Sequence, residues 1–200
     1  MKQENGKKLE DIQKEAEERA CPVQMMKYFV EEFIEGPMCS KCYPCSLGTA
    51  EAMIRLNRLS IHPGDAGESD RRALQRIAEQ MIDASFCKKG KDTGRFILST
   101  MVRTEEEIRQ HLAGICPKKE CRGLVEYIIT PESCTMCGKC LEVCQYNAVI
   151  GEPRERYRSG YLPFEIRLQR CTRCGECMKV CPTGAIEVVT KSTGELVNNE

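Results

Sequence analysis

Two stretches near the C-terminal end carry the same chemistry twice. Residues 134–150 read CTMCGKCLEVCQYNAVI and residues 171–187 read CTRCGECMKVCPTGAIE, at a constant offset of 37. Cys134, Cys137, Cys140 and Cys144 align with Cys171, Cys174, Cys177 and Cys181, and Thr135, Gly138, Val143 and Ala148 also meet identical partners. A lone C-x2-C pair would serve zinc, but two tandem C-x2-C-x2-C-x3-C runs point to iron–sulfur ligation. Three closely spaced cysteines on a tight loop wrap three corners of a cubane while backbone N–H groups face its sulfides. Gly138 and Gly175 let that backbone approach closely.

A third run, CSKCYPC, supplies Cys39, Cys42 and Cys45, again spaced C-x2-C-x2-C. A cubane needs four protein ligands, and Cys87 is the only cysteine between Cys45 and Cys116. After Cys45 the apolar period turns helical, with Leu47, Ala50, Met53, Ile54 and Leu56 placed along one face. HPGDAGESD is a loop of breakers that ends in Ser69 or Asp70 as a helix cap. Leu74, Ile77, Ala78, Met81 and Ile82 mark a second helix running into Phe86 and Cys87, with KKGKDTG ending it. Two antiparallel helices would return Cys87 to Cys39, Cys42 and Cys45; the alternative is a small buried hydrophobe.

The elements that must position these groups are modest. The chain has 200 residues and 15 cysteines, with 41% hydrophobic residues, only 6% aromatics and no tryptophan. Cysteine accounts for much of the apolar count, so metal binding is expected to supply folding free energy that a larger core would otherwise provide. The N-terminal stretch MKQENGKKLEDIQKEAEER is almost wholly polar, and no apolar run is long enough to cross a bilayer. Dense cysteine in such a chain reads as metal ligation in a reducing cytoplasm rather than a disulfide scaffold. Lys plus Arg equal Asp plus Glu at 30 each, which leaves no basic excess for nucleic acid. Val23, Met26, Phe29, Val30 and Phe33 define a helix after Cys21. Thr104 to Glu107 has capping-box spacing, which puts His111 near a helix end. LVEYIIT and AIEVVT, on either side of the repeated motifs, suit short strands. The arginine-rich GEPRERYRSGYLPFEIRLQR between the repeats is either a solvated hairpin or a dock for an acidic partner.

Over residues 124–190 the chain resembles bacterial two-cluster ferredoxins. In that pattern the fourth cysteine of each run begins a short helix and reaches the other cluster. The resemblance therefore implies one [4Fe–4S] cluster on Cys134, Cys137, Cys140 and Cys181, and another on Cys171, Cys174, Cys177 and Cys144. Pro182 follows Cys181 where it would set the helix start, whereas Gln145 follows Cys144. CSKCYPC followed by SFC about forty residues on resembles the C-terminal iron–sulfur region of the NADH-binding flavoprotein subunit of NADH:quinone oxidoreductase and NAD-linked hydrogenases and formate dehydrogenases. Lys41 and Pro44 match that family's usual loop, while Ser40 stands where glycine is common. This resemblance implies a third [4Fe–4S] cluster on Cys39, Cys42, Cys45 and Cys87. The flavoprotein subunits of multimeric iron–iron hydrogenases look similar around CPKKEC, where leftover cysteines and a histidine bind zinc. That implies zinc at Cys21, His111, Cys116 and Cys121, against unrelated buried thiols. His62 reads as a surface loop residue.

The expected architecture is α+β, a small helical-bundle iron–sulfur domain followed by a two-cluster ferredoxin domain. The expected divisions are a charged arm at 1–19, the helical domain at 20–122, the ferredoxin domain at 123–191 and a tail at 192–200. The family's flavin- and NADH-binding part has no counterpart in the sequence, and neither G-x-G-x-x-G nor a catalytic triad stands out, so the chain is expected to move single electrons rather than hydride. The expected function is an electron relay in an anaerobic complex of hydrogenase- or formate-dehydrogenase-like type, with electron bifurcation left open. It would be non-catalytic by itself. Its partners would be a flavin NAD(P)H-oxidising subunit and a further redox subunit or soluble ferredoxin, without nucleic acid or membrane insertion. The alternatives are a free soluble polyferredoxin-type carrier and an oxygen-sensing regulatory module.

Overall fold

A computed structural model of the chain describes residues 7–61, 66–154 and 162–191. His62, most of the arginine-rich linker's centre (155–161) and the tail at 192–200 lie outside the described residues. The chain packs as two compact units, one running through Leu124 and the other spanning Val125–Lys191. The fold is α+β, a helical bundle and then a small ferredoxin-like region.

The first unit contains six α-helices among the described residues: α1 (Leu9–Glu17), α2 (Pro22–Glu35), α3 (Tyr43–Ile61), α4 (Glu68–Ala84), α5 (Lys88–Arg103) and α6 (Glu105–Leu112). The charged N-terminal stretch folds as α1, whose apolar side, Ile12 and Ala16, is fully buried. Tyr28 of α2 donates to Glu15, which also accepts from Lys7, so the polar side of α1 is tied to α2 as well. On α2 the buried face is the expected one, Val23, Met26, Phe29, Val30 and Phe33. Phe29 stacks on Phe96 of α5 with ring centroids 4.0 Å apart and planes 17° from parallel, a ring contact that adds to simple area burial.

Three local expectations give way to tertiary packing. Helix α3 begins at Tyr43, before Cys45, and buries Cys45, Thr49, Ala52, Leu56 and Leu59; Leu47, Ala50 and Ile54 face outward. The inward face tolerates Thr49 and Ser60 because their hydroxyls donate to the Cys45 and Asn57 carbonyls at 2.9 and 3.2 Å, so bulk apolarity alone misplaces the stripe. KKGKDTG does not end a helix but forms the start of α5. A Cβ on Gly94 would stand 2.6 Å from the Ala78 carbonyl oxygen and 3.0 Å from Met81 Cβ; glycine is there so that α5 can lie against α4. Thr104 makes no capping box, since its hydroxyl turns back to the Thr100 carbonyl at 2.7 Å.

Neither Ser69 nor Asp70 is the N-cap of α4. Gly67 is, and Asp70 at the third helical position accepts the Gly67 N–H at 3.1 Å. Its carboxylate also takes Arg55 Nη1 at 2.7 Å and Arg58 Nη1 at 3.3 Å, which ties α3 to the start of α4. Asp70 is 1% exposed. Burial pushes its carboxyl upward, but Arg55, the Gly67 amide and Arg58 outweigh it and hold the group below the ordinary aspartate range.

The second unit holds β1 (Val125–Ile129), α7 (Lys139–Val143), β2 (Val149–Ile150), β3 (Glu165–Ile166), α8 (Glu176–Val180) and β4 (Ile186–Thr190). β1 and β4 pair antiparallel from Val125↔Thr190 to Ile129↔Ile186, and β2 pairs β3 with Val149 opposite Ile166. β1 and β4 are the strands expected from LVEYIIT and AIEVVT. The core is small: Cys140, Val149, Phe164, Ile166 and Ile186, with further cysteines packed around it.

Two outcomes test this packing. Gly94→Ala gains about 1 kcal/mol of helix propensity but overpacks a backbone contact at a cost of about 1–3 kcal/mol; the expected net effect is a lower denaturation midpoint for the anaerobic protein. Asp70→Asn removes a charged hydrogen-bonding hub and is expected to cost about 2 kcal/mol at neutral pH. Because the folded-state pKa is depressed, this contribution is fully present above the unfolded value near about 4 and lost as pH falls through the folded value. The stability gap between wild type and Asp70→Asn should therefore be constant at neutral pH and narrow in acid, as read by chemical denaturation across pH.

Candidate metal centres

The most enclosed group of potential ligands lies inside the first unit. Cys21 is the N-cap of α2, His111 sits in the last turn of α6, and Cys116 and Cys121 lie in the segment that follows. All four are buried, with exposures of 0–1%, and their ligand atoms lie within 4.8 Å of one another. Cys21 Sγ is 3.3 Å from His111 Nε2, 3.6 Å from Cys121 Sγ and 3.8 Å from Cys116 Sγ; Cys121 Sγ is 3.5 Å from His111 Nε2. A tetrahedral ion with bonds of about 2.3 Å to sulfur and about 2.0–2.1 Å to nitrogen spans edges of about 3.8 Å between sulfurs and about 3.5 Å from sulfur to nitrogen. The four side chains fit that shape.

Their surroundings orient them. His111 Nδ1 contacts the Glu107 carbonyl at 2.6 Å; donation there leaves the Nε2 lone pair turned to the thiols. Gln24 Nε2 donates to Cys121 Sγ at 3.3 Å, and the Glu120 carboxylate accepts the N–H groups of Ala20 and Cys21 at 3.1 and 3.0 Å. These partners have little signature in the sequence; only Gln24, near the start of an otherwise apolar face after Cys21, leaves a signal. Hydrogen bonding from Cys121 and Cys21 holds the Cys116 thiol low, while Cys121 is pushed up to about 12, chiefly by Cys116. Burial lowers His111, but hydrogen bonding with Cys116 and Cys21 outweighs it and raises the group to about 10; a cation must displace the Nε2 proton before the lone pair can bind it. Three thiols and an imidazole so close together cannot all shed their protons without a cation between them.

The second group is Cys39, Cys42, Cys45 and Cys87. Cys39 and Cys87 are exposed, whereas Cys42 and Cys45 are 6% and 4% exposed. Cys45 lies in the first turn of α3 and Cys87 is the N-cap of α5. Burial first, then the charges of Cys42, Cys87 and Cys39, push the Cys45 thiol up to about 11. All four thus share one electrostatic neighbourhood. Gly90 adds closeness, because a Cβ there would meet Cys45 Cβ at 3.4 Å. Ser40 holds φ +55, the left-handed region in which glycine is the usual occupant.

In the second unit the repeat extends from sequence to backbone. Met136 and Arg173 hold φ +57 and +58, Gly138 and Gly175 hold +80 and +82, and Asn147 and Gly184 hold +48 and +65. Gly138 and Gly175 are the N-caps of α7 and α8. Cys144 and Cys181 end these helices as C-caps rather than beginning helices, and Pro182, like Gln145, opens a turn. Helices of five residues leave the chain free to turn there, so the proline has no helix start to set. One cavity is lined by Cys134, Cys137, Cys140 and, from the other run, Cys181. A second is lined by Cys171, Cys174, Cys177 and Cys144. Burial raises Cys177 to about 11, with Cys171, Cys174 and Cys140 adding to it. Cys144 and Cys181 shift the other way: burial opposes ionisation, but backbone N–H groups outweigh it, those of Ala148, Val149, Tyr146 and Asn147 around Cys144 and those of Thr183, Ala185 and Gly184 around Cys181. The Ala148 N–H reaches Cys144 Sγ at 3.3 Å. Thiolates in amide cradles and crowded thiols on a curled loop are the donor chemistry that iron–sulfur groups require.

Residues 24–111 match the NADH-ubiquinone oxidoreductase-F iron-sulfur binding region, and residues 133–185 match the 4Fe-4S dicluster domain. The chain joins these two iron–sulfur modules. Among curated relatives, it is 31% identical over 140 residues to the NADP-reducing hydrogenase subunit HndC of Solidesulfovibrio fructosivorans, covering 70% of this chain and 28% of that protein. It is 32% identical over 102 residues to an NADH-quinone oxidoreductase subunit of Streptomyces coelicolor, covering 50% of this chain and 22% of that protein. The chain thus spans under a third of each relative's length. It is an iron–sulfur electron-transfer protein related to subunits of NADH- and NADP-linked complexes. Among the described residues of this two-module iron–sulfur protein, no helix is long and apolar enough to cross a membrane.

A left-handed φ costs an L-residue roughly 1–2 kcal/mol. Gly138→Ala and Gly175→Ala should therefore each lower iron incorporation on anaerobic reconstitution, whereas Asn147→Gly, which copies Gly184, should leave it unchanged.

Proposed function

We propose that the chain is the electron-relay subunit of an NAD(P)-linked oxidoreductase complex and carries three [4Fe–4S] clusters and one structural zinc. When bound, such clusters take up and release electrons one at a time, the chemistry needed beside a flavin that exchanges hydride. Cys134, Cys137, Cys140 and Cys181 would hold one cluster; Cys171, Cys174, Cys177 and Cys144 a second; Cys39, Cys42, Cys45 and Cys87 the third. The observation that carries the reading is the pair of cavities in the second unit, each lined by three cysteines of one run and the fourth of the other.

Zinc is assigned to Cys21, His111, Cys116 and Cys121, supported by the tetrahedral edges and the complete burial. Four protein ligands leave no open position, so this site is structural: it ties the start of α2 to the segment after α6.

A flavin-bearing NAD(P)H-oxidising subunit is proposed to dock near Cys39–Cys45. Tyr43, Leu47 and Phe86 are 80%, 65% and 85% exposed, close in sequence to Cys42, Cys45 and Cys87, and large apolar side chains in such a setting favour a protein partner. A groove lined by Lys7, Lys8, Glu10, Cys39, Lys88 and Asp92, among others, gives the charged N-terminal stretch a place in the contact. The second unit then delivers electrons to a further redox subunit or a soluble ferredoxin. The setting is an anaerobic cytoplasmic complex of hydrogenase- or formate-dehydrogenase-like type, electron-bifurcating forms included.

Anaerobic metal analysis is expected to find about 12 iron and about one zinc per chain. Cys87→Ala should lower iron to about 8, and Cys181→Ala should deplete the cluster of Cys134, Cys137 and Cys140 while sparing the other two. About 8 iron in the wild type would remove the Cys39–Cys87 cluster; full iron without zinc would remove only the zinc assignment. The isolated chain should not reduce a viologen dye with NADH or NADPH, and an added NAD(P)H-oxidising flavoprotein should restore the activity. Rapid NADH oxidation by the flavin-free chain would overturn the relay reading.

A further inference from the structure

Ser85 lies beside the first unit's four-cysteine set, and none of the ligand assignments uses it. It is the C-cap of α4, two residues before Cys87, and is 3% exposed. Its hydroxyl has no hydrogen-bond partner among the described residues. A buried hydroxyl left unpaired costs about 1–3 kcal/mol, and protein interiors rarely tolerate one without a reason. Thr49, Thr93 and Thr104 of this bundle each donate to the carbonyl four residues earlier; Thr100 is the other buried hydroxyl of the bundle without a partner among the described residues, but it lies inside α5, whereas Ser85 lies beside Cys45. Ser85 stands past the end of α4, in extended backbone with φ −68 and ψ 138. Nor does it cap α5, whose N-cap is Cys87 and which has no side-chain cap.

The position of the hydroxyl is fixed by Gly90. A Cβ built on Gly90 would stand 2.8 Å from Ser85 Oγ and 3.4 Å from Cys45 Cβ. The Ser85 hydroxyl and the Cys45 side chain therefore converge on the same side of the first turn of α5, no more than about 6 Å apart. Any larger residue at position 90 would fill the space that both approach. Cys45 is 4% exposed and shares its electrostatic surroundings with Cys39, Cys42 and Cys87.

We infer that Ser85 donates its hydroxyl hydrogen to sulfur at the Cys45 corner of the Cys39–Cys42–Cys45–Cys87 centre and thereby raises the reduction potential of that centre. The inference rests on reading those four cysteines as ligands of one cluster. Thiolate and sulfide sulfur accept hydrogen bonds, and hydrogen bonds to the sulfurs are among the main controls on cluster potential. The reduced centre carries one more negative charge than the oxidised one, so the bond is stronger after reduction and favours the reduced form. Ser85 is in this sense a tuning residue, acting on the ligand sulfur and touching no substrate.

The test is an anaerobic redox titration of the full chain followed by electron paramagnetic resonance, using the reduced-state signal that Cys87→Ala abolishes. At the potential where that wild-type signal is at half its full size, Ser85→Ala is expected to show well under half, and Ser85→Thr, which keeps the hydroxyl, is expected to lie closer to wild type. Pulsed measurements on the reduced wild type briefly exchanged into heavy water should show a fast-exchanging deuteron coupled to this centre, and the coupling should be missing in Ser85→Ala. That measurement decides the matter on the wild type alone should Ser85→Ala fail to assemble. A signal of normal size at an unshifted potential in Ser85→Ala, or a wild type without the coupled deuteron, overturns the role of Ser85 and leaves the cluster reading intact. A wild type with no signal dependent on Cys87 overturns both.

Discussion

Thiols that touch in a protein interior cannot all ionise on their own. This repulsion governs most of what the chain does. Around Cys21 the four ligand atoms lie within 4.8 Å of one another, four of their six separations being 3.3–3.8 Å, in a fully buried setting, where a full set of thiolates requires positive charge among them. Cys45, buried, and Cys177, half-buried, each lie among other cysteines and are both pushed up to about 11. A cation or an iron–sulfur core removes the repulsion and turns it into attraction, so ligand binding and folding become one equilibrium. The second unit depends on this most, because its few buried apolar side chains are packed chiefly against cysteines.

The two units reach that crowding by different backbone routes. In the second unit the chain curls through left-handed residues at matching places in each run, ending in amide cradles around Cys144 and Cys181. In the first unit straight helices do the work. Cys21 and Cys87 are N-caps, and Cys45 is in a first turn. Helix N-termini present unpaired N–H groups and so suit the negative charge of a metal- or cluster-bound cysteine. Cys140 and Cys177 repeat the arrangement in the first turns of α7 and α8. Glycine serves both routes, as the left-handed N-cap at Gly138 and Gly175 and as the absent side chain that lets α5 meet α4 at Gly94. The exposed edge of the first unit, with Cys39, Cys87, Tyr43 and Phe86, lies at the starts of α3 and α5 and in the segments that lead into them.

Much of the protein is legible in the cysteines. Spacing alone marks two loops that wrap a cubane, since neighbours three residues apart on a tight turn are brought together wherever the rest of the chain goes. The face of α2 and the strands β1 and β4 are equally readable, because period and alternation are local properties. The ends of elements and the inward face of α3 are not. KKGKDTG carries two glycines and reads as a breaker until α4 lies against it, and Leu47 and Ile54 read as core until the packing selects Thr49 and Ala52 instead. Thr104 has a cap's spacing and spends its hydroxyl on the preceding helix.

What the sequence determined by itself is therefore the set of candidate ligands and the short-range groups of three, set by chain geometry over a few residues. Only the tertiary structure shows the distant residues close together: Cys181 and Cys144 each lining the cavity of the other run, Cys87 in the electrostatic surroundings of Cys45, and Cys21 beside His111, Cys116 and Cys121. It also decided that Gln24, Glu120 and Ser85 stand next to those ligands. The reason is physical. A contact between residues far apart in the chain has no local signature, and it exists only once helix packing and strand pairing have met the cost of closing the intervening loop.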